Sequence, residues 1–259
     1  MSLPDAVIIT GAGRGLGRAA ALRCAADGLP VLCLARTESA AATRETITAA
    51  GGRAESLALD LADSAAVENA VRLWIESRSF RRLAVVCAAG TLGPAGGLLE
   101  STPADWARTM QTNVFGNLAV VRALLPRMLD GGYGRIVTLA GGGAAYAYPL
   151  FSGYALSKTA IVRATENLDA ELRGRGDFRT VCLAPGAMET AMLAQVRAAG
   201  AEVKTTVAMD EPVEFIASFL RAEACGFSGR FVHARDAWRE WQTPESVPGE
   251  RWLLRRIER

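Results

Sequence analysis

Histidine is nearly absent from this chain. His233 is the only one in 259 residues, which leaves no material for a Ser-His-Asp hydrolase or a multi-histidine metal centre. No metal site is expected. No run of 18 uncharged apolar residues occurs, so no membrane-spanning helix is expected. The amino terminus, Met1-Ser-Leu-Pro-Asp-Ala-Val-Ile-Ile-Thr10, has no cationic leader, and its apolar run is short for a signal peptide. The expectation is a soluble, cytoplasmic protein without a membrane partner. A dominant charge is missing too: 29 basic and 27 acidic residues leave +2. The basic cluster at the carboxyl end, Arg255-Arg256-Ile-Glu-Arg259, reads as a solvated terminus. Nucleic acid is therefore not an expected partner. The five cysteines, Cys24, Cys33, Cys87, Cys182 and Cys225, are odd in number, widely spaced and mostly in apolar segments. That suits reduced core thiols rather than disulfides or zinc ligands.

What is present is a rhythm. Apolar runs of about five residues alternate with segments of helical period, the pattern of repeated βα units around a parallel sheet. Strands are expected near Ala6–Thr10, Val31–Ala35, Ser56–Ala58, Leu83–Cys87, Arg135–Leu139, Thr180–Leu183 and Arg230–His233, with helices between them. Helix starts are signalled by Ser64, by Thr102-Pro103 and by Asp210-Glu-Pro-Val-Glu214; Gly51-Gly52 and Gly131-Gly132 read as helix stops. No repeat, low-complexity tract or Pro-rich linker argues against one domain over 1–259. Residues 187–209 interrupt the rhythm and read either as a substrate lid or as a surface excursion with a short helix. The tail, 235–259, holds Trp238, Trp241 and Trp252, and is expected to pack on its own domain or on another subunit.

Gly11, Gly15 and Gly17 lie between an expected strand and an expected helix. There they supply a tight turn, close backbone approach to a pyrophosphate and the anion-attracting amides of a helix start. A dinucleotide fold that prefers NAD places a carboxylate at the end of its second strand for the ribose 2′-hydroxyl. The segment Leu32-Cys-Leu-Ala35-Arg36 has none. Arg36 and Arg14 stand there instead, and guanidinium groups favour a 2′-phosphate through charge-assisted bonds. NADP(H) is expected over NAD(H).

Tyr154 and Lys158 are four residues apart in Tyr154-Ala-Leu-Ser-Lys158, which on a helix puts both side chains on one face. Unit charges roughly 4 Å apart at an effective dielectric of about 20 interact by about 4 kcal/mol. An ammonium so placed is expected to bring the phenol toward neutrality, where it exchanges a proton with an alcohol or ketone.

Over nearly its whole length the sequence resembles the classical short-chain dehydrogenase/reductase family. Thr10-Gly-Ala-Gly-Arg-Gly-Leu-Gly17 is similar to that family's cofactor turn, and Asp60-Leu61 to the pair that meets the adenine. Asn113, in Thr112-Asn-Val-Phe-Gly116, resembles the helix asparagine that helps hold a relay water. Tyr154 and Lys158 match the catalytic acid/base and the partner that also bonds the nicotinamide ribose; Pro185-Gly186 with Thr190 matches the loop at the carboxamide. The resemblance implies a Rossmann-like, doubly wound fold, a seven-stranded parallel sheet with helices on both faces. It implies a nucleotide site of Gly11, Arg14, Gly15, Leu16, Gly17, Arg36, Asp60, Leu61, Ala89, Gly90, Tyr154, Lys158, Pro185, Gly186 and Thr190. It also implies a homodimer or homotetramer through the helices near Pro103–Leu129 and Gly153–Arg173.

Two departures stand out. Cys87-Ala-Ala-Gly90 replaces the usual Asn-Asn-Ala-Gly, which removes structural hydrogen bonds between strands. Thirteen residues before Tyr154, where the family places a serine on the reacting oxygen, stands Gly141. Losing one such donor costs about 10²- to 10³-fold in rate. Substitutes within reach in sequence are the amides of Gly142 and Gly143, the hydroxyls of Tyr146, Tyr148 and Ser152, and water. Ser152 reads first as a helix cap, and the two tyrosines as pocket walls or interface aromatics. The expected activity is NADPH-dependent reduction of a small or medium carbonyl compound. A redox-neutral epimerase with tightly held cofactor, and a nucleotide-binding pseudoenzyme or sensor, are the alternatives.

Overall fold

A computed structural model describes residues 3–221, 226–241, 243–247 and 253–254. Seven strands form one sheet: β1 Ala6–Thr10, β2 Val31–Ala35, β3 Ala54–Ala58, β4 Leu83–Cys87, β5 Tyr133–Leu139, β6 Asp177–Ala184 and β7 Arg230–His233. Their order is β3-β2-β1-β4-β5-β6-β7, and every neighbouring pair is parallel. The chain reverses direction across the sheet between β1 and β4, the point at which doubly wound sheets open a ligand crevice at the strands' carboxyl ends.

Successive side chains of a strand point to opposite faces, and here both faces are dry. Val7 and Ile9 join a core with Leu16 and Cys24 of helix α1 (Gly15–Ala26), Ile47 of α2 (Ser39–Ala49) and Phe215 and Phe219 of α8 (Asp210–Arg221). Ala6 and Ile8 join the other core, with Val67 and Val71 of α3 (Ser64–Glu76) and Leu124 and Met128 of α5 (Gly116–Gly131). Helix α4 (Pro103–Met110) runs into α5 through a wider π turn, Gln111–Phe115. Helices α6 (Ser152–Leu172) and α7 (Ala191–Ala198) complete the set among the described residues.

The boundaries follow local chemistry. Thr102 caps α4 in a reciprocal capping box with Asp105, and Pro103 occupies the first turn. Asp63, one residue before the expected start at Ser64, caps α3 by accepting from the Ala66 amide at 3.0 Å. Asp210-Glu-Pro-Val-Glu214 forms the first turns of α8 and does not merely precede it. Gly132 ends α5 in the left-handed region.

Trp238 and Trp241 turn inward. Trp238 meets the Phe215 ring edge-on at 5.1 Å between centres, and Trp241 meets Phe227 at 6.3 Å, so this part of the tail completes the chain's own core. Trp252, Cys225, Arg255, Arg256 and Arg259 lie outside the described residues. The other four cysteines are free and buried. Burial pushes the thiols of Cys24, Cys33 and Cys87 up to about 12 and that of Cys182 up to about 11. Among the described residues no helix is long and apolar enough to cross a membrane.

Candidate active site

The turn after β1 is shaped by close approach. Gly11 and Gly15 have φ +66° and +54°, a region that side chains resist, and a Cβ on Gly11 would lie 2.8 Å from the Ala89 backbone. Helix α1 then starts with no side-chain cap, which leaves its first amides for an anion. A Cβ on Gly15 would lie 3.6 Å from Thr190 Cγ2. Arg14 and Arg36 are exposed, and their guanidinium groups make no hydrogen bond or ion pair with a described residue. Two groups that sequence reasoning missed complete this corner. The Ser39 hydroxyl is the nearest atom to the open side of Gly13, and it lies 3.0 Å from the Thr37 hydroxyl. Their signal was position alone, hydroxyl residues one and three places after Arg36.

Several expected nucleotide contacts are otherwise occupied. Leu61 is 2% exposed and packs in the core with α3 and α5, so its side chain is not presented to an adenine. Asp60 is exposed, its carboxylate accepting from the Ala62 amide at 3.0 Å. Thr190 caps α7, accepting from the Leu193 amide at 3.3 Å and donating to the Met188 carbonyl at 3.1 Å. Gly186, after Pro185, has φ +79° and is covered by Val207, whose amide donates to the Ala187 carbonyl at 2.7 Å.

Tyr154, Lys158 and Asn113 do converge, at the carboxyl ends of β4 and β5. Lys158 is buried and donates from Nζ to the Leu139 carbonyl at 2.8 Å. A Cβ on Gly90 would sit 3.6 Å from that Nζ and 3.5 Å from Asn113 Oδ1. Asn113 is fully engaged: Nδ2 donates to the Thr91 carbonyl and the Ser157 hydroxyl, each at 2.9 Å, and Oδ1 accepts from the Thr91 amide at 2.8 Å. Its side chain therefore ties the loop after β4 to α6. Ser152 is the first residue of α6 and donates to the Pro149 carbonyl at 3.3 Å; Phe151 holds the cap position, so the expected Ser152 cap is not formed.

Lysine was expected to acidify the phenol. In the structure burial governs the phenol: it pushes Tyr154 above its ordinary range, with Tyr148 adding to the rise. The Lys158 ammonium lies 5.4 Å from the centre of the Tyr154 ring. Burial also lowers Lys158 to about 8. Gly141 has extended backbone, and a Cβ there would lie 2.9 Å from the Tyr154 hydroxyl. The phenol thus rests where a side chain at 141 would begin.

Known proteins share this arrangement of strands and turns. Residues 5–201 match the short chain dehydrogenase family. The chain belongs to that family. A sulfoacetaldehyde reductase of Chromohalobacter salexigens is 36% identical over 192 residues, covering 73% of this chain and 74% of the relative. A short chain dehydrogenase of Pseudocercospora fijiensis is 33% identical over 188 residues; the match covers 71% of this chain and 59%, less than two thirds, of the relative. A solved structure assigned as an NAD(P)-dependent gluconate 5-dehydrogenase of Beutenbergia cavernae, with NADP at low occupancy, is similar at TM-score 0.81 and 28% identity, over 90% of this chain and 96% of that one.

In this short-chain dehydrogenase the altered loop Cys87-Ala-Ala-Gly90 is held by a residue that sequence reasoning missed. Asn117, 1% exposed, donates to the carbonyls of Ala89 at 3.1 Å, Thr112 at 3.2 Å and Asn113 at 3.1 Å. Its Oδ1 accepts from the Thr10 hydroxyl at 2.7 Å, which in turn accepts from the Ala89 amide at 2.9 Å. One amide joins the ends of β1 and β4 and takes up carbonyls near the π turn. The signal was a second asparagine four residues after Asn113, one helical turn away on the buried side. Above Tyr154, residues 187–209 close an apolar cluster: Leu193, Val196 and Val203 pack with Leu92, Tyr148, Phe151 and Tyr154.

Proposed function

We propose that this short-chain dehydrogenase is an NADPH-dependent reductase of a small or medium apolar carbonyl compound. The observation that carries the reading is the meeting of Tyr154 and Lys158 at the carboxyl end of β5, beside the uncapped start of α1. The residues fit a dinucleotide. The free amides of α1 suit a pyrophosphate, and Arg14 and Arg36 with the Thr37 and Ser39 hydroxyls suit a 2′-phosphate. When bound, the nicotinamide supplies hydride to the carbonyl carbon. Tyr154, kept protonated at neutral pH by burial, donates its proton to the carbonyl oxygen. Lys158 then stabilises the phenolate and holds a ribose hydroxyl. Asn113 acts through the loop and the α6 hydroxyl that it anchors, and so supports the water chain that returns the proton. Residues 187–209 serve as the lid, and their apolar side chains select an uncharged substrate flank.

Half-exposed Phe115 and Leu156 on the helices near Pro103–Leu129 and α6 support a homo-oligomer. A cytoplasmic location belongs to the same reading.

The test is cofactor oxidation, followed by loss of dihydronicotinamide absorbance, with hexanal, octanone and trifluoroacetophenone. NADPH turnover is expected, with KM for NADPH rising about tenfold or more in Arg36→Ala and that for NADH unchanged, since a charged hydrogen bond contributes about 1.5–3 kcal/mol. Interconversion of hydroxyl epimers with no net change in absorbance would replace the reading by epimerisation. Tight NADPH binding with no turnover of any kind would replace it by a sensor.

A further inference from the structure

We infer that Tyr148 is a second catalytic hydroxyl, the donor that meets the reacting carbonyl oxygen in place of a side chain at position 141. The inference rests on the reductase reading above. Tyr148 lies between the 3₁₀ turn Gly142–Ala144 and α6. Its ring is 6.4 Å from that of Tyr154, tilted by 57°, and 5.3 Å from that of Phe151. It shares one apolar cluster with Tyr154 and the lid residues Leu193 and Val196, so its ring is held beside that of the acid and against the segment that covers a substrate.

The other hydroxyls nearby are unsuited. Tyr146 is 78% exposed. Ser152 is turned back to the Pro149 carbonyl. Thr138 is buried beneath the site, 2.7 Å from the Thr165 hydroxyl. The Tyr148 hydroxyl makes no hydrogen bond with a described residue, and burial raises its pKa, so at neutral pH it is a protonated donor awaiting an acceptor.

The two phenols divide the work. Charge on either raises the other, as the effect of Tyr148 on Tyr154 records, so only one of the pair ionises readily. Tyr154, with Lys158 one turn away, is the one that releases its proton. Hydride goes to the carbonyl carbon, the Tyr154 proton goes to the oxygen, and Tyr148 keeps its own proton while its hydrogen bond strengthens as negative charge develops.

Tyr148→Phe removes the oxygen and keeps the ring. In NADPH-driven reduction of trifluoroacetophenone by the full chain, kcat is expected to fall about 10²- to 10³-fold, with KM changed by less than about threefold. NADPH affinity by fluorescence titration and the melting temperature should match wild type, which separates a lost donor from a damaged fold. Wild-type kcat in Tyr148→Phe, or a loss confined to KM, overturns the inference and leaves Tyr148 a pocket wall. A wild-type protein that oxidises NADPH with none of the three carbonyls defeats the reductase reading itself, and the silent control distinguishes that outcome from an unaffected variant.

Discussion

The loops at the carboxyl ends of β4 and β5 are neighbours in the sheet, and each lacks side chains that the family resemblance led one to expect there. They are resolved in opposite ways. After β4, where two alanines stand, Asn117 reaches in from α5 and supplies the missing hydrogen bonds. After β5, at Gly141, nothing is put back, and the Tyr154 hydroxyl rests in the space. A structural loop needs only that its buried carbonyls and amides find partners, and any well-placed amide suffices. A catalytic donor must face the atom where charge develops, so a replacement has to come from the pocket wall, as proposed for Tyr148.

The sharpest way to break this contrast is Asn117→Ala. It takes the Asn117 partner from the part-buried Ala89 carbonyl and from the buried Thr10 hydroxyl, and should lower unfolding free energy by about 2 kcal/mol, read from urea denaturation. An unchanged midpoint would mean that the β4 loop is not held by this network. Gly141→Ala is the opposing test. A methyl 2.9 Å from the Tyr154 hydroxyl must displace it, and kcat should fall about tenfold with the melting temperature nearly constant. Full activity in that variant would show that the phenol's resting position does not matter.

The smallest effect is in the pH profile. Lys158 titrates at about 8 in the folded chain against an ordinary 10.5, so it loses its charge as pH rises past about 8. kcat/KM for reduction should decline along that limb, and Lys158→Arg, which stays charged, should move the limb upward. Between those two pH values the unfolded chain holds a proton that the folded chain does not. This group's contribution to stability therefore rises with pH there. A flat profile through this range would contradict the assignment.

Much of the scaffold was legible in the amino-acid order. Strands β1, β2, β4 and β7 have the bounds read from their apolar runs. Strands β3, β5 and β6 begin two or three residues earlier than expected, because Ala54-Glu55, Tyr133-Gly134 and Asp177-Phe178-Arg179 are poor in the uniform apolar pattern that marks a buried strand. Arg135 shows the difficulty: it is 1% exposed in β5, with its guanidinium on Asp177 at 2.9 Å. The site was less legible. Spacing placed Tyr154 beside Lys158, but it carried nothing of the burial that raises the phenol. The π turn and the role of Asn117 depend on how β1, β4 and α5 meet, which no local pattern encodes.

Single-turnover hydride transfer from NADPH to trifluoroacetophenone, comparing wild type with Tyr154→Phe, bears most directly on the chemistry. Proton donation by Tyr154 predicts transfer about 10²- to 10⁴-fold slower in the variant, with NADPH affinity unchanged. Equal rates in the two proteins would contradict it.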